Sequence, residues 1–174
     1  MVNWEAMRMV IHGEYFTIQK IDRKDIDSVY NVYKKCEDFL SLGPVPNASK
    51  QMILDDFKIS EDEGGIYCGI FIHGIMIGVI VFVLSGFEGN SSHAYLSLLM
   101  ISADYRRQGI GKDVVKAVEK EILKNSTIKS IFAGVQTNNK YAITFWEKNG
   151  YKIVSAPQVM PDTTITFRLQ KDFF

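Results

Sequence analysis

The sequence has little cysteine and no surplus of charge of either sign, and each scarcity removes a class of protein. Two of the 174 residues are cysteines. Cys36 and Cys68 fit neither a zinc spacing nor a Cys-x-x-Cys motif. Two buried free thiols in a reducing compartment are expected, because free cysteine behaves as a small hydrophobe. No metal site is expected. Twenty basic residues balance twenty acidic ones, whereas a nucleic-acid binder ordinarily carries a basic excess, so no nucleic-acid partner is expected. No apolar run reaches the ~18 residues of a membrane span. The longest, Ile66 to Leu84, is broken by His73, Gly74 and Gly78. The N-terminus lacks a basic segment followed by an apolar one, so no signal peptide is expected. A cytoplasmic chain without a membrane partner is the default, and repeats, low-complexity stretches and linkers are missing too.

What is present is a chain long enough to bury a core, with 47% apolar residues. Tyr15 to Ile21 alternates as a half-buried strand does. Asp22 or Asp25 can cap a helix carrying Ile26, Val29, Tyr30, Val32, Tyr33 and Cys36 inward. Gly43-Pro44-Val45-Pro46 excludes regular helix, and Asn47 is a good cap for a second helix through Met52, Ile53 and Phe57. Ile66–Ile72 and Ile75–Leu84 flank His73-Gly74, as in an antiparallel hairpin. Ser85 to Ser92 is a polar loop. Ala94 to Ile101 is nearly all apolar, which predicts burial on both faces. Ile110, Val114, Val118 and Ile122 then recur at spacing four, opposite Lys112, Lys116, Glu119 and Lys120, which predicts an amphipathic helix. Ser130 to Gln136 returns to strand. Asn138 or Asn139 can cap a last helix that Gly150 stops, and Tyr151–Val159 and Thr164–Leu169 close the chain as a hairpin. The reading is one α+β domain over residues 1–174, with a mixed, mostly antiparallel sheet of about seven strands and about four helices.

The chemically informative stretch is Leu99-Met100-Ile101-Ser102-Ala103-Asp104-Tyr105-Arg106-Arg107-Gln108-Gly109-Ile110-Gly111-Lys112, a strand, a polar connection, two glycines and a helix. Glycines let a ligand approach the backbone closely, and a first helical turn presents unpaired N–H groups at the positive end of the helix dipole. Such an end favours phosphate. Arg106, Arg107 and Lys112 add positive charge where the dipole alone favours acidic residues. A glycine-rich turn with solvated arginines accounts for the glycines alone equally well. The dinucleotide fingerprint fails, because Asp113 or Val114 stands where its third glycine belongs, and the P-loop pattern fails at Asp113.

Asp104 to Gly111 resembles the pyrophosphate motif R/Q-x-x-G-x-G/A of the GCN5-related N-acetyltransferase (GNAT) family. Asn139-Lys140-Tyr141-Ala142-Ile143-Thr144-Phe145-Trp146-Glu147-Lys148-Asn149-Gly150-Tyr151 resembles that family's second signature. A helix and a strand separate the two, as in the family, and the element order matches from Tyr15 to Leu169. The resemblance implies acetyl transfer from acetyl-CoA to a primary amine by direct attack. It implies that two neighbouring strands splay to admit the pantetheine arm. Leu99, Met100 and Ile101 would offer backbone groups to that arm, with an N–H near Met100 stabilising the oxyanion. The amides of Arg107, Gln108, Gly109, Ile110, Gly111 and Lys112 would hold the pyrophosphate with Arg106 beside it. Asn139, Ala142, Phe145 and Trp146 would flank the far end of the cofactor.

Two positions depart from the family pattern. The family's thiolate-protonating tyrosine aligns with Trp146, whose indole N–H donates a hydrogen bond but does not release its proton. Tyr141, about 140° round the helix by its 3.6-residue period, does not simply replace it. The strand from Ala94 to Ile101 contains no carboxylate, which leaves His93 and Tyr95 as the nearest titratable residues to relay the amine's proton through water. A non-catalytic acyl-CoA-binding module is the rival reading. Glu37, Asp38, Asp55 and Asp56 form either a cation-attracting patch or a solvated helix face, and Phe39 and Leu40 line a pocket or fill core. The acceptor stays open among polyamine, amino acid, aminoglycoside and protein N-terminus. A homodimer is open too, with Phe173-Phe174 apolar enough to dock within the fold or on a partner.

Overall fold

The computed structural model describes residues 9–174, so residues 1–8, on which the expectation of no signal peptide rests, lie outside it. β1 (Val10–His12) and β2 (Thr17–Lys20) lead into α1 (Ile26–Lys34), the short α2 (Glu37–Leu40) and α3 (Lys50–Asp62). β3 (Ile66–Ile72), β4 (Ile75–Val83) and β5 (His93–Ile101) follow, then α4 (Ile110–Ile122), β6 (Ser130–Gln136) and α5 (Lys140–Lys148). β7 (Lys152–Ile153), β8 (Gln158–Val159) and β9 (Ile165–Asp172) complete the chain. Among the described residues all nine strands belong to one sheet, ordered β1-β2-β3-β4-β5-β6-β9-β7, with β8 also on β9. Each neighbouring pair is antiparallel except β5 and β6.

The strand and helix counts exceed the expected seven and four for local reasons. β1 is three residues long, and α2 is a single turn without a side-chain cap; neither is long enough to show a period. The expected strand from Tyr151 to Val159 breaks into β7 and β8, with the N–H-less Pro157 between them. The cap of α3 is Ser49, whose hydroxyl accepts from Met52 N at 3.1 Å, rather than Asn47. The hairpin turn is as expected: His73 and Gly74 both have positive φ, +49° and +75°, which a two-residue turn between twisted strands requires.

Helices cover both faces of the sheet. α4 and α5 pack on one face, where Ile110, Val114, Val118, Ile122 and Trp146 join Ile80, Leu96, Ile131 and Leu169. α1 and α3 pack on the other, where Val29, Tyr33, Ile53 and Phe57 meet Tyr67, Val79, Val81 and Met100. Two polar networks are built into these layers. Glu119, 6% exposed, accepts from Lys171 Nζ at 3.0 Å and Tyr151 Oη at 2.9 Å. Tyr33 Oη donates to Asp56 Oδ2 at 2.6 Å and meets Tyr67 Oη. Phe173 packs against the first core, while Phe174 is exposed.

Candidate active site

The site begins where β5 and β6 part. Their parallel register runs from His93↔Ser130 to Leu96↔Ala133 and goes no further. At the same point the pairing of β5 with β4 slips, Phe82 facing Leu96 and Val81 facing Leu98, so Ser97 is an extra residue in β5. A bulge bends the strand and exchanges the faces its side chains occupy. Before it, Leu96 joins the α4 core; after it, Leu98 and Met100 turn to the α1–α3 core and Leu99 and Ile101 to the α4 core. β5 is therefore not buried on both faces as expected. Tyr95, Ser97, Leu99 and Ile101 are half-exposed because they border a cavity of about 720 Å³ that fills the gap between the strands. Lining residues come from both faces of the sheet, so the cavity passes through it.

On the α4 face the wall is the glycine loop. Arg107 and Gly109 both take positive φ, +62° and +81°, a twist that turns backbone amides toward one side. Gly109 is the N-cap of α4 and offers no side-chain cap. The first helical bond is Asp113 N to Gly109 O at 3.1 Å, which leaves the amides of Ile110, Gly111 and Lys112 open for an anion. A Cβ on Gly111 would stand 3.2 Å from the Phe145 ring, so this glycine is what lets α5 lie close over the mouth. Arg107, Lys112, Asn139, Ala142 and Phe145 all line the cavity. Asn139 also caps α5 through Oδ1, which accepts from Ala142 N at 3.0 Å.

Two residues of the loop are placed differently from expectation. Arg106 borders the cavity, but its guanidinium is committed elsewhere: Nε donates to Ile101 O at 2.8 Å, and Nη1 and Nη2 take both carboxylate oxygens of Asp38. Gln108 is not a lining residue, and its carboxamide donates to Asp104 O at 3.4 Å. With Arg106 bound to Asp38, the cations left facing an anion at this end are Arg107 and Lys112.

On the α1–α3 face the wall is Phe39 and Leu42 on one side and Met160, Thr164 and Thr166 on the other, with Gly134 and Gln136 of β6 between. Asn138 Nδ2 donates to Leu42 O at 3.0 Å, tying the turn after α2 to the loop after β6. Of the four acidic residues noted in the sequence, only Asp38 lines the cavity. Glu37 accepts from Lys34 and from Ala48 N, Asp56 is the partner of Tyr33, and Asp55 accepts from Gln51. Phe39 lines the cavity and Leu40 packs on the core. Gln136 and Gly134 escaped the sequence reading. Their one signal is alternation: Ala133 and Val135 are core, so Gly134 and Gln136, the residues that alternate with them, face the other way.

Tyr95 and His93 share a strand face but not a role. Tyr95 lines the cavity, stacks on Phe87 with ring centroids 4.3 Å apart, and its hydroxyl would be 3.4 Å from a Cβ at Gly134. Burial is the main reason its pKa is raised, with the Glu63 carboxylate adding to the shift and Arg168 opposing it. His93 lies two residues further from the gap, about 6–7 Å along the strand. It is outside the lining, packed on Phe132 with Nε2 near Asn90. Trp146 is 7% exposed and lines the cavity while meeting Phe145 and Tyr151 edge-on. Tyr151 is bound to Glu119 and does not reach the cavity, whereas Tyr141 lies at its rim, 63% exposed.

The strand pair thus separates beside an uncapped helix end, leaving a cavity through the sheet with open backbone amides at one mouth. The chain belongs to the acetyltransferase (GNAT) family, which it matches over residues 26–151. It is 30% identical over 105 residues to the probable N-acetyltransferase san of Drosophila melanogaster, covering 60% of this chain and 56% of that protein. The chain thus spans about half the length of that curated relative. Among solved structures it resembles an acetyltransferase from Thermus thermophilus, with a TM-score of 0.76, 17% identity and coverage of 95% of this chain and 100% of the other. It also resembles the PaiA N-acetyltransferase of Thermoplasma acidophilum in complex with coenzyme A, with a TM-score of 0.65, 20% identity and coverage of 91% and 99%. At those identities the likeness is one of fold.

Proposed function

We propose that this protein transfers the acetyl group of acetyl-CoA to a primary amine. The observation that carries the reading is the cavity through the sheet, with an uncapped helix N-terminus and two uncommitted cations on one face and a mostly uncharged wall on the other. The pyrophosphate belongs against the amides of Ile110, Gly111 and Lys112, with Arg107 and Lys112 as counter-charges. The pantetheine belongs between β5 and β6, where Leu98 to Ile101 have no partner strand on that side. Bound there, the thioester supplies an activated acyl carbon. The amine nitrogen attacks that carbon, the C–S bond breaks, an amide forms, and the sulfur leaves as thiolate while the amine's proton passes to water. A backbone N–H near Met100 stabilises the oxyanion.

Tyr95 stands on the acceptor face at the closed end of the gap. Its raised pKa keeps it a phenol, suited to orienting the amine and an adjoining water rather than to removing a proton. Trp146 supplies no proton, so the thiolate leaves with the help of solvent. A cytoplasmic setting fits the two buried free thiols, Cys36 and Cys68, and no described helix is long and apolar enough to cross a membrane. The test is titration calorimetry with acetyl-CoA and with ATP, followed by release of CoA thiol in the presence of pooled amines. Heat with acetyl-CoA and thiol release are expected. Binding without turnover across the pool favours the non-catalytic module, and heat with ATP alone removes the acyl-donor reading.

A further inference from the structure

We infer that the acceptor is the α-amino group of a peptide chain, held on the α1–α3 face by Gln136. This rests on the acetyl-donor reading above. The first observation concerns bases. Among the described residues the cavity is lined by no histidine and no glutamate. Its one carboxylate, Asp38, is held below its ordinary pKa, chiefly by its hydrogen bonds to Arg106. The Tyr95 phenol is pushed the other way. It stacks on the Phe87 ring, pairs in register with Phe132 of β6, and feels Glu63 at the end of α3 and the Glu88–Arg168 ion pair. Within the described residues none of these hydrogen-bonds its hydroxyl.

An amine that meets no base in the site must arrive neutral. A peptide α-amine, with a pKa of about 7.7–8.0, is roughly a third neutral at pH 7.5; a lysine-like amine near 10.4 is about 0.1% neutral. The difference is roughly 300-fold in reactive species. Alkyl polyamines fall in the lysine range and bring further cations, for which this face has only the committed Asp38. A free amino acid brings a carboxylate, and the lining cation on this side, Arg106, is already bound to Asp38.

The second observation is independent. Gln136 lines the cavity, and its buried Oε1 finds no hydrogen-bond partner. A buried carbonyl left alone is costly, and a backbone N–H of an entering peptide is the group that would satisfy it. Gly43 lies beside this side chain, where a Cβ would stand in ordinary contact, 3.6 Å from Gln136 Nε2 and 3.8 Å from Thr164. Phe39, Leu42 and Met160 offer apolar surface for the first side chain.

The test uses three acceptors at pH 7.5. One is a lysine-free peptide pool with free N-termini, randomised at its first two positions. The second is an N-terminally blocked pool carrying one lysine, and the third is spermidine. Release of CoA thiol is expected to give the free-N-terminus pool a kcat/KM at least about 100-fold above the other two, levelling off above about pH 8. Gln136→Met is expected to raise the KM for the best peptide about five- to tenfold, with the acetyl-CoA Kd unchanged. Preference for the lysine pool or spermidine overturns the inference, and so does a Gln136→Met variant with parental peptide KM. Calorimetric binding of acetyl-CoA with no turnover of the free-N-terminus pool at pH 8.5 overturns the acceptor assignment alone. Failure to bind acetyl-CoA overturns the donor reading itself.

Discussion

Arg106 and Asp38 join the two sides of the site. The arginine opens the glycine loop, the aspartate stands in the turn of α2, and the pair is bidentate, with the second contact 3.1 Å. The same guanidinium holds Ile101 O at the end of β5. The glycine loop, the end of β5 and α2 are therefore fastened to one another through one side chain.

Asp38→Asn is expected to loosen that fastening without unfolding the protein. The Asp38 side chain is 64% exposed, so its share of stability is below about 1 kcal/mol after solvent screening. Steady-state kinetics should show acceptor KM rising severalfold while the acetyl-CoA Kd stays within about twofold. An equal rise in both would mean that Asp38 supports the donor loop instead.

Arg107→Ala and Lys112→Ala should each weaken acetyl-CoA binding about tenfold or more, the usual effect of losing a charge-assisted contact. Calorimetry at 0.05 M and 0.5 M salt checks the cause. Salt should weaken the parent more than the double variant, because the lost interaction is one that ions screen.

Gly111→Val forces a branched side chain into the 3.2 Å space before Phe145. It should cost about 1–3 kcal/mol in urea unfolding and abolish acetyl-CoA binding. Gly109→Ala, at φ +81°, should cost about 1 kcal/mol through backbone strain alone.

Tyr95→Phe should lower kcat by roughly 100-fold with acetyl-CoA affinity retained, and His93→Ala should match the parent. Because the Tyr95 pKa is raised, the parent's kcat should show no loss between pH 7 and 9.5 from ionisation of this phenol. A fall in that range would show the phenol ionising normally.

Asp56 gives a pH signature of stability. Burial raises its pKa, while the hydrogen bond from Tyr33 opposes the shift. A carboxyl raised in the folded state contributes its stability fully below the unfolded pKa of about 3.9, and that contribution is lost as pH climbs through the folded value. Melting curves of Asp56→Asn should therefore gain on the parent progressively as pH rises from 4 to 7. A constant difference across that range would mean that Asp56 titrates alike in both states.

The sequence by itself determined most of the longer elements and where the glycine loop lies. Amphipathic spacing places α4, His73-Gly74 places the β3–β4 turn, and the glycines set the uncapped start of α4 beside Arg107 and Lys112, because each of these depends on residues close together in the chain. Tertiary structure decided the rest. Ser97 reads as one more polar residue in an apolar strand until the register with β4 shows it to be a bulge, and the gap between β5 and β6 exists only as a failure of pairing between segments some thirty residues apart. Arg106 looks like a phosphate ligand by its position, yet Asp38, 68 residues away, takes it first. Gln136 lines the cavity with its buried Oε1 unpaired, a placement set by which segments the fold brings around it. Such long-range pairings depend on which surfaces the packed sheet and helices bring together, and no local pattern carries that information.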